Sequence, residues 1–168
     1  MKPALRIKVR FGHGVAGGIA LSLALAFLGA SVAAEVLGSD DTVARVKHAI
    51  LFVIPLLAFS AIVAGGSGTW MSRKSKAKII SRKAKRMRII GANAVLVLIP
   101  CAVILDRLAS GGEFGARFDA LQAVEFVFGA TNVALLGLNM RDGLRMRARR
   151  GRAAGARRVH RRPARIGQ

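Results

Sequence analysis

The chain has 168 residues, of which 53% are hydrophobic, and it carries 28 Lys and Arg against 8 Asp and Glu, a formal net charge of +20. So high an apolar fraction in so basic a chain excludes an ordinary soluble domain, and the two kinds of residue must be separated along the sequence. Four membrane spans of about 20 residues each would occupy roughly half of the chain and leave no room for a large soluble domain.

The chain begins with a basic segment, residues 1–12, and continues with an uncharged run from Gly14 to Ala34. This run is long enough to cross a bilayer, whereas the apolar core of a signal peptide has about 7 to 15 residues. We therefore expect an uncleaved first span over about residues 14–36, with a cleaved signal peptide as the alternative. Small residues recur along it every three or four positions and predict a face on which another helix packs closely. This small-residue face consists of Gly14, Gly18, Ser22, Ala26, Gly29 and Ala33.

A polar turn over residues 38–45 leads to a second span over about residues 46–66. Asp40 or Asp41 is in position to cap the second helix. The glycines that follow the span predict its end, and Trp70 is expected at the level of the lipid headgroups. These glycines lack the preceding strand and the Lys-Ser/Thr ending of a phosphate-binding loop, which argues against nucleotide binding.

The middle of the chain, residues 71–88, holds nine Lys or Arg and no acid. Under the positive-inside rule, so basic a loop stays in the cytoplasm and sets the orientation of the spans on either side. In a helical conformation this segment would gather its apolar residues on one face and lie on the inner leaflet. Those residues are Ala77, Ile80, Ala84 and Met87.

A third span over about residues 89–106 and a fourth over about residues 119–140 complete a four-helix membrane domain, residues 13–140. The tail, residues 141–168, contains 11 Arg and is predicted to be disordered. Anionic lipid headgroups attract such a tail by about 1 kcal/mol per basic residue near the surface. An acidic partner protein or an RNA is the alternative contact. The candidate contact residues are Arg157, Arg158, Arg161 and Arg162.

The distribution of charges along the chain supports this arrangement of four spans. The two ends and the middle segment together carry 24 basic residues and one acid, Asp142, whereas the other two loops with their adjoining helix ends carry four basic residues and six acids. We therefore predict an all-α membrane protein with four transmembrane helices in an antiparallel up-down bundle of two hairpins. Both termini would be cytoplasmic, in a bacterial-type cell inner membrane. The basic residues flank spans and are not interleaved with aromatics, which argues against nucleic acid as a partner.

The fourth span carries polar residues on a single helical face, which must turn toward other helices or water because an ionisable group in hydrocarbon is costly. For Glu125 we expect a partner such as His48 or Arg107. The candidate intramembrane polar site consists of Gln122, Glu125, Asn132 and Asn139.

Two prolines, Pro55 and Pro100, lie inside the second and third spans. Each lacks the N–H that would bond the carbonyl four residues earlier, at Leu51 and Leu96. Freed carbonyls at membrane depth need other partners. We expect Asn132 to lie near the carbonyl of Leu96.

Catalytic and cofactor motifs are not apparent. His13 and His48 fall at opposite ends of their spans, about 30 Å apart, which argues against a shared haem. The single cysteine, Cys101, excludes a disulfide framework and a paired-cysteine metal site, and is expected to be a small buried or lipid-facing residue. We predict no catalytic residue, no metal and no cofactor.

Two functions from different classes fit the sequence. The first is a non-enzymatic accessory or structural subunit that contacts anionic lipid and other proteins, as a homo-oligomer or within a membrane complex. The alternative is a small oligomeric transporter or channel-like protein with Glu125 and Asn132 in its pathway.

Overall fold

A computed structural model describes residues 3–72 and 78–160, which are helical apart from turns at residues 38–39 and 111–115. In these ranges, four helical stretches are long and apolar enough to cross a membrane: Lys8–Leu37, Asp40–Trp70, Ile79–Ser110 and Ala116–Arg149. The prediction of an all-helical fold with four helices long and apolar enough to span a membrane is thus confirmed for the described residues. The helices are α1 (Pro3–Leu37), α2 (Asp40–Ser72), α3 (Lys78–Asn93), α4 (Ile99–Ser110) and α5 (Ala116–His160).

The helices are longer than the predicted spans, most clearly in the middle segment. The predicted loop 71–88 is largely helical, because α2 continues to Ser72 and α3 begins at Lys78. This segment is composed of Lys, Arg, Ala, Ile, Ser and Met with no Gly or Pro, so nothing in it breaks a helix. Residues 73–77, including Ala77, lie outside the described part of the chain.

The tail also differs from the prediction. Instead of becoming disordered at Arg141, the chain continues as α5 to His160. This stretch is rich in Arg and Ala, which favour helix, and its first proline comes only at Pro163. Arg157 and Arg158 belong to α5, while Arg161 and Arg162 lie outside the described residues.

The start of α2 is capped by Ser39 and not by the two aspartates. The carbonyl of Ser39 accepts the N–H groups of Thr42 at 2.8 Å and Val43 at 3.0 Å. Asp40 and Asp41 lie in the first helical turn, where the helix dipole favours a negative charge. The predicted capping residue was therefore wrong by one or two positions.

A π-helical turn, Ala94–Leu98, joins α3 to α4 just before Pro100. In a π turn each carbonyl bonds to the N–H five residues later, as Ala94 does with Ile99. In that register the residue opposite the Leu96 carbonyl is Cys101, which has the N–H that proline lacks. The sequence analysis counted only α-helical hydrogen bonds and so did not predict this π turn.

The four long helical stretches pack against one another. Helix α1 contacts α2 and α5, α2 contacts α4, and α5 contacts α3, the π turn and α4. At the turn end, defined by residues 38–39 and 111–115, the helices enclose an apolar cluster in which Leu105 is 0% and Phe118 is 1% exposed. This turn-end cluster consists of Ala34, Val43, Cys101, Leu105, Leu108, Ala109 and Phe118. Cys101 is therefore a buried core residue.

The small-residue face of α1 points away from the other described helices. Five of its six residues are exposed and Gly18 is half-buried. A Cβ added at Gly14, Gly18 or Gly29 would meet nothing within 4 Å beyond its own stretch of helix. The bundle instead buries the opposite side of α1. The buried residues there are Ala16, Ala20, Ser31 and Ala34.

The turn between α1 and α2 depends on Gly38. A Cβ at this position would lie 2.5 Å from the carbonyl oxygen of Ala34 and 3.0 Å from the side chain of Thr42. We expect Gly38→Ala to lower the free energy of unfolding by about 1–3 kcal/mol, because backbone must move to admit the methyl group.

Thermal unfolding in detergent, followed by circular dichroism, measures this effect. The matched control is Gly91→Ala, where an added Cβ meets nothing within 4 Å. The control should be neutral or stabilising by up to about 1 kcal/mol. Equal melting temperatures for the two variants would contradict the role of Gly38.

Candidate functional site

The predicted polar residues of α5 all face the bundle, but they lie at three levels. Gln122, Asn132 and Asn139 are 5%, 6% and 8% exposed, and the Glu125 side chain is 14% exposed. Gln122 and Glu125 lie together near the turn end. Asn132 lies about 10 Å and Asn139 about 21 Å further along the helix than Glu125, at 1.5 Å per residue. The structure therefore forms three polar clusters and not one continuous site.

The first cluster is a buried ion pair that joins three helices. The Lys47 ammonium on α2 lies 2.5 Å from Oε2 of Glu125 on α5, and Lys47 is only 2% exposed. Lys47 also donates to Oγ of Ser31 on α1, at 3.3 Å, and Gln122 donates from Nε2 to the same Glu125 oxygen, at 3.3 Å. The ring centre of Phe126 is 6.0 Å from the ammonium nitrogen. Each charge is thus paired and surrounded by polar or aromatic groups, as buried charges require.

The partner of Glu125 is Lys47, so the expectation of His48 or Arg107 was wrong. Sequence reasoning had counted Lys47 as a charge close to the loop. Because α2 begins at Asp40, Lys47 lies two turns inside the helix and on the same face as the buried Val43 and Ile50. The spacing of these three residues, i, i+4, i+7, was the signal that could have identified it.

The two rejected partners lie outside the core. The His48 side chain is 74% exposed, and its Nδ1 lies 3.2 Å from Oδ1 of Asp106. Arg107 is exposed as well. Their positions follow from helix geometry, since the residue after an inward-facing one is rotated by about 100°.

The second cluster centres on Asn132. Its Nδ2 donates to the carbonyl of Ile90 at 3.3 Å, and its Oδ1 accepts from Nδ2 of Asn93 at 3.3 Å. The predicted contact with the Leu96 carbonyl is wrong, because α5 meets α3 about six residues earlier, roughly 9 Å along the helix. Both ends of the Asn132 amide are therefore used to join α3 to α5.

The third cluster lies at the basic end, defined by residues 8–13, 65–70, 79–88 and 139–149. Arg86 donates to Oδ2 of Asp142 at 2.7 Å and to Oδ1 of Asn139 at 3.4 Å. Asp142 is 8% exposed and is the one acid in the basic segments of the sequence. On the other side of this end, Nδ1 of His13 donates to the Ala64 carbonyl at 2.9 Å.

A cavity of about 130 Å³ lies between the first and second clusters. Ser31, Glu125 and Asn132 are its polar wall residues, and the remainder of the wall is apolar. Within residues 3–72 and 78–160, no group of three or more His, Cys, Asp or Glu side chains is arranged to hold a metal ion.

Comparison with known proteins assigns no family, so the function is inferred from the geometry of the described residues. No family model, no curated protein and no solved structure matches this chain. The inward polar groups of α5 bond to Lys47 of α2 and to side chains or backbone of α3, and Lys47 in turn bonds Ser31 of α1. Such interhelical hydrogen bonds are a common means of holding membrane helices together.

The ion pair predicts a characteristic pattern of stabilities. Lys47→Met or Glu125→Met alone should destabilise the fold by about 3–5 kcal/mol, because each leaves the other charge buried without its partner. The double variant should recover most of the loss, since two methionines fill similar volumes without charge.

The coupling is measured as free energies of unfolding in detergent. The proteins compared are the wild type, both single variants and the double variant. Arg45→Met is the control, because Arg45 is exposed on the same helix. Additive losses in the double variant would show that the two charges do not interact.

Proposed function

We propose that this protein is a non-enzymatic structural or accessory subunit of the cell inner membrane, built as an antiparallel up-down bundle with both termini in the cytoplasm. The observation that carries the proposal is a difference between two helix surfaces. Each inward polar side chain of α5 makes at least one hydrogen bond within the chain, whereas the small-residue face of α1 is open. The first arrangement stabilises one bundle, and the second suits contact with another helix.

The antiparallel arrangement is supported by contacts between α1 and α2. Ser31 meets Lys47, and His13 meets Ala64, so a later position on α1 pairs with an earlier one on α2. The threading is supported by the 24 basic residues against one acid in the two ends and the middle segment. An imbalance of this kind is typical of cytoplasmic segments.

Contact with anionic lipid is supported by the surface of the basic end. Nine Lys and Arg side chains there are exposed, and basic residues near an anionic leaflet contribute about 1 kcal/mol each. These residues are Lys8, Arg10, Arg82, Lys85, Arg88, Arg141, Arg145, Arg147 and Arg149. The basic end would thus hold the bundle against the inner leaflet.

A small oligomeric transporter is the second candidate, favoured by the cavity that extends from Glu125 to Asn132. Two features favour the structural role over it. The cavity wall is largely apolar, and Leu105 and Phe118 of the turn-end cluster are almost fully buried on the side of Glu125 toward the turns. An ion pathway would need polar groups and water along this route.

The threading predicts opposite accessibility for Ser75 and Ser110. In a Cys101→Ala background, single cysteines at Ser75 and Ser110 should react with a membrane-impermeant thiol reagent from opposite sides of the membrane. Ser75 should react only from the cytoplasmic side. Reaction of both positions from one side would contradict four spans.

The role as a subunit predicts association through α1. Gly18→Leu should reduce by tenfold or more the fraction of the protein that co-purifies as an oligomer or complex in native mass analysis, because a bulky side chain prevents close approach of helices. The monomer should stay folded, since a Cβ added at Gly18 meets nothing within 4 Å.

The matched control is Ala123→Leu, at an exposed position on α5 outside the small-residue face. It should leave the assembly unchanged. A wild-type protein that is strictly monomeric and without partners would contradict the proposed role.

A further inference from the structure

The cavity inside the bundle has the size of a small ligand site. Its volume is about 130 Å³, and its walls come from all five helices and the π turn. An apolar cavity of about 150 Å³ in another protein stays dry and accepts benzene or xenon. The apolar part of this cavity includes Phe27, Leu28, Ile54, Leu57, Leu98 and Leu136. It is therefore suited to an apolar guest about the size of benzene.

The two polar ends of the cavity differ in their free hydrogen-bonding capacity. At one end both atoms of the Asn132 amide are occupied, by Asn93 and by the Ile90 carbonyl. At the other end, Oε2 of Glu125 accepts from Lys47 and Gln122, while Oε1 receives no hydrogen bond from the described residues. Each polar atom of the Asn132 amide thus already makes one hydrogen bond, whereas Oε1 of Glu125 makes none within the described part of the chain.

The charge at the Glu125 end is already balanced. Lys47 pairs with Oε2 of Glu125 at 2.5 Å, and Gln122 donates to the same oxygen. A second cation at Oε1 would lie near the Lys47 ammonium, so a neutral donor suits this oxygen better.

We propose that the cavity binds a small neutral molecule with a benzene-sized apolar body and one hydroxyl group, which donates a hydrogen bond to Oε1 of Glu125. The apolar wall holds the body of the guest, and the carboxylate selects for the donor. A hydrogen bond to a charged group favours such a guest over the bare ring by about tenfold or more. A protonated amine is disfavoured because its charge would lie near the Lys47 ammonium.

Fluorine NMR titration of the full-length protein in nanodiscs tests the proposal with three probes of one ring size. They are para-fluorophenol, fluorobenzene and para-fluorobenzylamine, and empty nanodiscs correct for partition into lipid. We expect saturable binding of the phenol at one site, at least tenfold tighter than that of fluorobenzene, and weaker binding of the amine than of the phenol.

Two substitutions locate the binding. Ala61→Phe fills the cavity, of which Ala61 is a wall residue, and should abolish saturable binding of the phenol. Ala49→Phe adds the same group at an exposed position of the same helix and should leave binding unchanged. Circular dichroism checks the fold of both. If Ala61→Phe does not fold, Gly129→Ala is the second variant, since its added Cβ lies 3.6 Å from Leu28, and it should weaken binding of the phenol.

Several outcomes would overturn the proposal. Wild-type protein without saturable phenol binding would show that the cavity holds no such guest. Equal affinity for the phenol and fluorobenzene would remove the role of Glu125, and tighter binding of the amine would make the site one for cations. Phenol binding that survives in folded Ala61→Phe protein would place it elsewhere.

Discussion

The ion pair between Lys47 and Glu125 sets the arrangement of the other helices. A charged side chain at the centre of a membrane helix costs about 2.5–3.5 kcal/mol on insertion scales, so each of these two residues must face a partner. Their pairing joins α2 to α5, and the contact of Lys47 with Ser31 adds α1. Once α5 is rotated to bring Glu125 to Lys47, its helical repeat also directs Asn132 and Asn139 into the bundle.

The same repeat explains why the polar groups form separate levels. Spacings of three and seven residues place polar side chains on one seam of α5, and each level meets a different neighbouring helix segment. Asn132 meets Asn93 of α3, and Asn139 and Asp142 meet Arg86 of α3. Between the first two levels the seam has Gly129, which leaves room for the cavity. The bundle is thus joined by polar contacts at intervals and filled by apolar side chains elsewhere.

Much of this architecture could be predicted from the sequence. Four runs of apolar residues require four spans, and the spacing of Gln122, Glu125, Asn132 and Asn139 requires that they face inward, because both follow from the bilayer alone. The partner of Glu125 depended on where α2 begins, and a boundary drawn from apolarity placed Lys47 at the first turn of the span and not two turns inside a helix that begins at Asp40. The helical conformation of the middle segment and of residues 141–160 was missed for a related reason, since charge patterns indicate the side of the membrane and not the backbone conformation.

The central claim is that Lys47 is a buried cation held by Glu125 within the bundle. Heteronuclear NMR of isotope-labelled lysine side chains in the intact protein tests it directly, with the signal assigned by its absence in Lys47→Met. We expect the Lys47 ammonium protons to exchange with water far more slowly than those of the exposed Lys85, and to correlate with the Glu125 carboxylate. Exchange at the rate of Lys85, without that correlation, would contradict the account.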